Sequence, residues 1–201
     1  MRQSFKSVLF DFDGVLCNGK FYEKTLQPDY QAVYDWIQSD IFGDKELVHK
    51  WMRNQITSPE INKLISERTF IEYGILEDLF ECSVRQMELD NDVLDLVKAL
   101  KLSGKKVGIV TDNMDVFTQI TIQNHQLDKL FDVVINSADH GLLKKDDHGK
   151  LFDMALSLLD ESIENSLMID DSATTVDLFK QKGGQGFVYL DAAALKSFLQ
   201  I

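Results

Sequence analysis

Residues able to do chemistry collect in four short stretches of this 201-residue chain. Asp11 and Asp13 lie in the run Val8-Leu9-Phe10-Asp11-Phe12-Asp13-Gly14-Val15, and Thr111-Asp112-Asn113 closes a second apolar run. Lys144 and Lys145 follow Ser137 and Gly141, and Asp170-Asp171-Ser172 closes a further run. Singly, each has an ordinary reading: a turn, a strand-end hydroxyl, a solvated lysine pair, or an acidic pair capping a helix in a favourable dipole. Together they imply something else. Two like charges about 4 Å apart repel by roughly 4 kcal/mol at an effective dielectric near 20, so carboxylates meeting in one place need a cation. Oxygen donors without cysteine or histidine select a hard ion such as magnesium, which keeps waters and binds substrate phosphate. The combination points to phosphoryl chemistry.

Such a meeting depends on the elements that carry the stretches. Apolar runs at 7–12, 106–111, 131–136, 167–170 and 187–190 are too short for helices and rich in Val, Ile and Phe, as buried strands are. Helical patterns fill the intervals after the second strand at 114–127, 151–159 and 173–182, and a last one covers 192–199. Another precedes the second strand at 90–102, with Val93, Val97 and Leu100 on one face, Leu94 beside them and Gly104 where a C-terminal cap belongs. This alternation predicts an α/β fold, a doubly wound parallel sheet with right-handed crossovers and a ligand crevice at the carboxyl ends of its strands. All four stretches fall at that edge.

The interval between the first two strands is far longer than a crossover helix needs, and its pattern is helical. Pro28 stands as a first-turn residue ahead of Tyr30, Val33, Tyr34 and Ile37, and Ser58 reads as the N-cap before Pro59-Glu60. The expected organisation is a core of 1–16 and 89–201 carrying an inserted helical cap at 17–88. Tyr30, Tyr34, Trp36, Phe42, Trp51, Phe70 and Phe80 are expected to pack the cap helices. Lys50 and Arg53 fit either a solvated face or contact with an anionic substrate.

A formal net charge of -12 argues against nucleic acid and anionic membrane surfaces as partners. Cys17 and Cys82 have no ligand spacing and read as free thiols in a reducing compartment, and no run reaches the ~20 apolar residues of a membrane span. No signal-peptide pattern opens the chain, so a cytoplasmic protein is expected. His49, His125, His140 and His148 also lack ligand spacing and read as surface residues, though His140 and His148 flank the lysine loop.

In order, Asp11-Phe12-Asp13-Gly14-Val15, Thr111 after Gly108-Ile109-Val110, a lysine after Ser137 and Gly141, and Met168-Ile169-Asp170-Asp171-Ser172 resemble the four motifs of the haloacid dehalogenase superfamily of phosphatases and phosphomutases. The resemblance covers the core, and the cap matches only in position, length and helical character. It implies that Asp11 attacks phosphorus to form an aspartyl-phosphate, and that Asp13 protonates the leaving oxygen and then activates water. It also implies that Gly14, Thr111, Asn113 and Lys144 surround the phosphoryl group. Magnesium would be held by Asp11, the Asp13 carbonyl oxygen and the pair Asp170 and Asp171, with Asp171 best aligned as the direct ligand. One departure stands out. The third motif usually reads lysine-proline, whereas Lys144 is followed here by Lys145 in a slightly lengthened loop, so the two lysines compete, with Lys144 preferred.

The expected activity is magnesium-dependent hydrolysis of a small phosphate monoester, the partner being a small phosphorylated metabolite. A phosphomutase acting on a sugar phosphate is the alternative, and an idle binding protein would be expected to have lost part of the set. Dehalogenase chemistry is disfavoured by Asp13. A receiver domain is disfavoured by motif order, since its acidic pair lies on the first strand. Specificity would reside in the cap, which carries no readable motif, and the oligomeric state is equally unread, a monomer being sufficient.

Overall fold

The computed structural model of the chain describes residues 5–27 and 29–200. The chain opens with β1 (Ser7–Phe10), followed by helices α1 (Glu23–Leu26), α2 (Gln31–Trp36), α3 (Lys45–Met52), α4 (Ser58–Thr69) and α5 (Tyr73–Arg85). Next come α6 (Asn91–Leu102), β2 (Lys106–Thr111), α7 (Ile122–His125), α8 (Leu127–Leu130) and β3 (Val133–Asn136). The remainder runs α9 (Ser137–His140), α10 (Lys150–Leu159), β4 (Ser166–Asp170), α11 (Ala173–Gln181), β5 (Gln185–Val188) and α12 (Ala192–Leu199). The strands form one parallel sheet in the order β3-β2-β1-β4-β5.

Both faces of the sheet are covered, which is why its strands are apolar almost without interruption. Val8 and Phe10, Val107 and Ile109, and Leu167 and Ile169 share a cluster with Val93, Val97 and Leu100 of α6 and Leu195 of α12. The alternate residues Leu9, Val110 and Met168 face the other way, into a cluster with Leu151, Phe152 and Ala155 of α10 and Phe179 of α11. The period of two along each strand and the near-fourfold spacing on each helix are the same packing seen from two sides.

β1 is central, with Phe10 in register with Ile109 of β2 and Ile169 of β4. The residue after Phe10 therefore emerges between the ends of β2 and β4. Since β2 and β3 lie on one side of β1 and β4 and β5 on the other, the chain reverses direction across the sheet at that point, where a crevice opens.

Among the described residues the elements between β1 and α6 are all helices, and they bury a cluster of their own that includes Tyr34, Ile37, Trp51, Ile65, Leu76 and Phe80. Met114, Val116 and Ile120, from the segment after β2, complete it. The two passages into this insertion lie side by side: Cys17 bridges Leu89, and the Asp90 amide donates to the Leu16 carbonyl at 2.8 Å. Of the aromatics expected to pack there, Phe70 is 93% exposed and Tyr30 51%. Phe70 occupies the left-handed C-cap of α4, which turns its ring outward.

Several local expectations are corrected. The helix expected over 114–127 is a π-helical turn at Phe117–Thr121 running into α7, then a break at Gln126 (φ 53°) before α8. The last strand begins two residues earlier than its apolar run, because Gly186 lets β5 lie against Val176 of α11, where a Cβ would come within 2.6 Å of the Val176 side chain. Leu190 is left 79% exposed beyond the strand. The N-cap of α4 is Thr57 rather than Ser58. Thr57 and Glu60 form a capping box, with the Thr57 amide donating to Glu60 at 2.8 Å. The expectation for Pro28 lies outside the described residues.

Candidate active site

At the crevice, Asp11 follows β1 with its amide donating to the Ile169 carbonyl at 2.9 Å, which fixes it against the end of β4. Its Oδ1 accepts the Phe12 amide at 2.8 Å. Lys144 Nζ sits 2.7 Å from Asp11 Oδ2 and 2.7 Å from Asp170 Oδ2, all three side chains being buried. Asp170 Oδ1 accepts the Ser172 amide at 2.8 Å, so the turn into α11 also holds the carboxylate that the lysine meets. Lys145 is exposed and points instead to the Thr174 hydroxyl. Of the two competing lysines, Lys144 alone enters the acidic pocket.

The lengthened loop explains how Lys144 reaches it. Its backbone amide donates to Asp112 Oδ1 at 2.7 Å, pinning the lysine beside the end of β2. The extra length is absorbed by Asp147, His148 and Gly149, consecutive residues with φ of 46°, 57° and 82°. A left-handed stretch of that kind turns the chain sharply into α10 without displacing the lysine.

Asp13 is held by Asn113, whose Nδ2 donates to Asp13 Oδ2 at 2.9 Å. Asn113, expected among the phosphate-binding residues, thus also orients the second aspartate. Gly14 has φ +78°, and a Cβ there would come within 2.4 Å of Asp171 Oδ2, so glycine is what lets the acidic pair close over the turn. The Thr111 hydroxyl is buried and has no hydrogen-bond partner among the described residues. Leaving such a group unpaired costs about 1–3 kcal/mol, which a bound oxygen would recover.

The electrostatics are those of crowded carboxylates. Burial pushes Asp11 up to about 7, with Lys144 opposing and Asp170 adding to the rise. The protein around Asp13 does the same, to about 7, against Lys144 and with help from Asp171, even though the side chain keeps contact with solvent. Burial and then the Asp170 carboxylate raise Asp171. Burial alone would lower Lys144, but the carboxylates of Asp11, Asp170 and Asp112 hold it above its ordinary value. One ammonium does not neutralise this set. Asp11, Asp170 and Asp171 bring carboxylate oxygens within 4.8 Å of one another, an oxygen-only donor group that fits a hard divalent cation, and the Asp13 carboxylate is not among them.

Residues outside the four stretches tie the insertion to the rim of the site. Asp115 is buried and accepts from the Ser58 amide at 3.1 Å, the Trp51 Nε1 at 3.1 Å and the Ser58 hydroxyl. The hydroxyl expected to cap α4 is therefore used across the interface. Replacing Asp115 by alanine should destabilise the fold by about 1–3 kcal/mol, since it takes the acceptor from the first amide of α4 and from the buried Ser58 hydroxyl, while the Trp51 N–H keeps the Ser58 hydroxyl as a partner at 3.0 Å. Urea unfolding measures this, and an unchanged midpoint would contradict it. The Ser137 hydroxyl donates to the Met52 carbonyl at 2.7 Å and accepts the Asn113 amide at 2.9 Å.

Arg53 is paired with Asp146 through two bonds of 2.8 and 3.0 Å, which commits its guanidinium, and Lys50 pairs with Glu46 on the solvated face of α3. Asp146 also accepts the Leu143 amide at 2.9 Å, which links the pair to the lysine loop. Its bond to Arg53 holds Asp146 below the usual carboxylate range. The pair's contribution, about 0.5–1 kcal/mol for partly exposed partners, is full above about pH 4 and lost as pH falls through the lowered folded value. Arg53→Met should therefore lower the urea midpoint at pH 7 and lose that effect below pH 4. A penalty independent of pH would exclude this account. His140 and His148 are exposed, as expected, and Cys17 and Cys82 are free thiols.

The model of the haloacid dehalogenase-like hydrolases matches residues 5–181. Pyrophosphatase PpaX of Bacillus cereus (strain G9842) is 38% identical over 171 residues, covering 83% of this chain and 74% of that protein. Among solved structures, a HAD-like family hydrolase from Porphyromonas gingivalis superposes with a TM-score of 0.75 at 15% identity, over 98% of this chain and 99% of that one. A HAD family enzyme from Bacteroides thetaiotaomicron, solved with magnesium and inorganic phosphate, gives 0.70 at 17% identity over 95% and 98%. The chain belongs to the haloacid dehalogenase-like hydrolases.

Proposed function

We propose that the chain is a magnesium-dependent phosphohydrolase that cleaves a small phosphate monoester through an aspartyl-phosphate on Asp11. The observation that carries this reading is the position of Lys144, clamped between Asp11 and Asp170 where β1, β2 and β4 end together. A buried ammonium there opposes the rise that burial imposes on Asp11, favouring the ionised form that attacks phosphorus, and would then face the oxygens of the transferred group. Asp11, Asp170 and Asp171 would hold magnesium, which when bound offsets charge on the phosphoryl oxygens. The B. thetaiotaomicron enzyme solved with magnesium and phosphate, a likeness of fold, is consistent with that ion.

Asp13, raised toward neutrality and steered by Asn113, would give its proton to the departing ester oxygen and afterwards take one from the attacking water. The Thr111 hydroxyl would donate to a phosphoryl oxygen, and Gly14 lets Asp171 close against the turn that carries Asp13. In balance, the substrate P–O bond breaks, Asp11 forms and then loses an acyl-phosphate bond, and water supplies the oxygen of the released phosphate. The helical insertion, 17–88, would serve as the cap that excludes bulk water.

The test is a screen of phosphorylated metabolites with magnesium, reading inorganic phosphate, with Asp11→Asn as control. Release that survives in the Asp11→Asn protein overturns the reading. Isomerisation of a sugar phosphate without phosphate release would replace it with a phosphomutase.

A further inference from the structure

The proposed site continues into a cavity of about 280 Å³ that starts at Asp13 and Gly14 and runs under the helical insertion. It lies at the small end of ligand pockets, which span about 300–1,000 Å³, and so suits a small leaving group. Its wall is carbon-rich: Phe21, Phe42, Val48 and Met52 come from the insertion side, and Met114 from the segment after β2. Phe21 and Phe42 stack at 5.7 Å, which sets a rigid aromatic edge on that wall.

Charge in the cavity is sparse. Lys20 is the one cation among the described residues that line it, and its side chain is exposed. Arg53, the nearest alternative in sequence to Met52, is committed to Asp146. Gln38 supplies an uncharged amide, donated to the Phe21 carbonyl at 3.4 Å.

A diphosphate would place its second phosphate, the leaving group, in this space. Burying an anion against carbon is costly unless charge and hydrogen bonds meet it there, and the chain's net charge of -12 offers no background compensation. A neutral alcohol of a few carbons meets the opposite conditions, gaining from contact with Phe42, Val48 and Met52.

We infer that the substrate is the phosphate monoester of a small, uncharged, partly apolar alcohol rather than pyrophosphate, although curated relatives bear the name pyrophosphatase. The inference rests on the reading of Asp11 as nucleophile. Hydrolysis then yields the alcohol and inorganic phosphate, with water supplying the added oxygen and protons.

The deciding experiment compares kcat/KM for butyl phosphate, phenyl phosphate and inorganic pyrophosphate with magnesium, in the wild-type protein and in Asp11→Asn. Organic esters should exceed pyrophosphate by at least about tenfold, the discrimination that apolar pocket contacts provide. Met52→Lys should narrow that ratio about tenfold by adding a second cation, while Met52→Leu keeps it. Asp11-dependent turnover that favours pyrophosphate, or treats all three alike, overturns this inference and leaves the proposed mechanism standing. Release from none of them, or release unaffected by Asp11→Asn, overturns both.

Discussion

Replacing Asp11 by asparagine will cut magnesium-dependent phosphate release by about four orders of magnitude or more, the scale reached when one member of a cooperating catalytic set is removed. The substitution keeps the shape of the side chain and its bond to the Phe12 amide, since the asparagine Oδ1 accepts as the carboxylate does. What it removes is the carboxylate oxygen beside Lys144, the proposed nucleophile. Stability should move little or rise. Burial, and after it the Asp170 carboxylate, push Asp11 up, so a neutral side chain there lifts a desolvation cost and a repulsion while Lys144 retains Asp170 as partner. An inactive protein with a lowered urea midpoint would mean that folding, not chemistry, had failed. Rapid acid quench adds a direct reading: labelled phosphate from a turned-over ester should stay with the wild-type protein and be absent from Asp11→Asn. Label retained by the variant would place the nucleophile elsewhere.

The chain announces this site because each of its parts ends an apolar run. Buried strands must be apolar on both faces, so Asp11, Thr111 and Asp170 stand out where those runs stop, and parallel pairing brings such ends to one edge. Less legible is whatever depends on contacts between distant segments. Nothing around Ser58 reveals that its hydroxyl serves Asp115, because a serine before Pro59 is an equally good local cap. Arg53 offers the same lesson: a helix-end arginine fits a substrate or a solvated face, and only the return of the lysine loop supplies Asp146. The choice between Lys144 and Lys145 is also non-local, since adjacent residues differ in direction rather than type. Asp112 decides it by receiving the Lys144 amide. Left-handed residues at 147–149 leave almost no trace in composition, Gly149 alone being a hint.

Lys144→Met should give the largest change in stability together with a deep loss of activity. The ammonium is the shared partner of Asp11 and Asp170, with side-chain exposures of 5%, 9% and 0% respectively, so its removal leaves two carboxylates buried without compensation. Breaking a buried pair in this way costs about 3–5 kcal/mol, against which the better packing of a thioether chain is a small return. The sign of the pH dependence follows from Asp11, whose folded value lies near 7 against 3.8 for the ordinary carboxyl. A group raised on folding binds more protons in the native state, so its effect is absent below about pH 4 and destabilises as pH climbs through the folded value. Losing Lys144 removes the influence that opposes that rise. In EDTA, the gap in urea midpoint between wild type and Lys144→Met should therefore be small at pH 4 and widest at pH 8. Magnesium should narrow it at pH 8, because without the competing ammonium the variant binds the ion more tightly, each tenfold in affinity returning about 1.4 kcal/mol. Activity with magnesium should still fall by about 10²–10³, because the ion does not supply the positioned donor. Lys145→Met, on the solvent side of the same loop, should stay within about 0.5 kcal/mol of wild type. Equal losses from the two substitutions, or a Lys144→Met penalty that does not grow with pH, would remove Lys144 from the centre of the site.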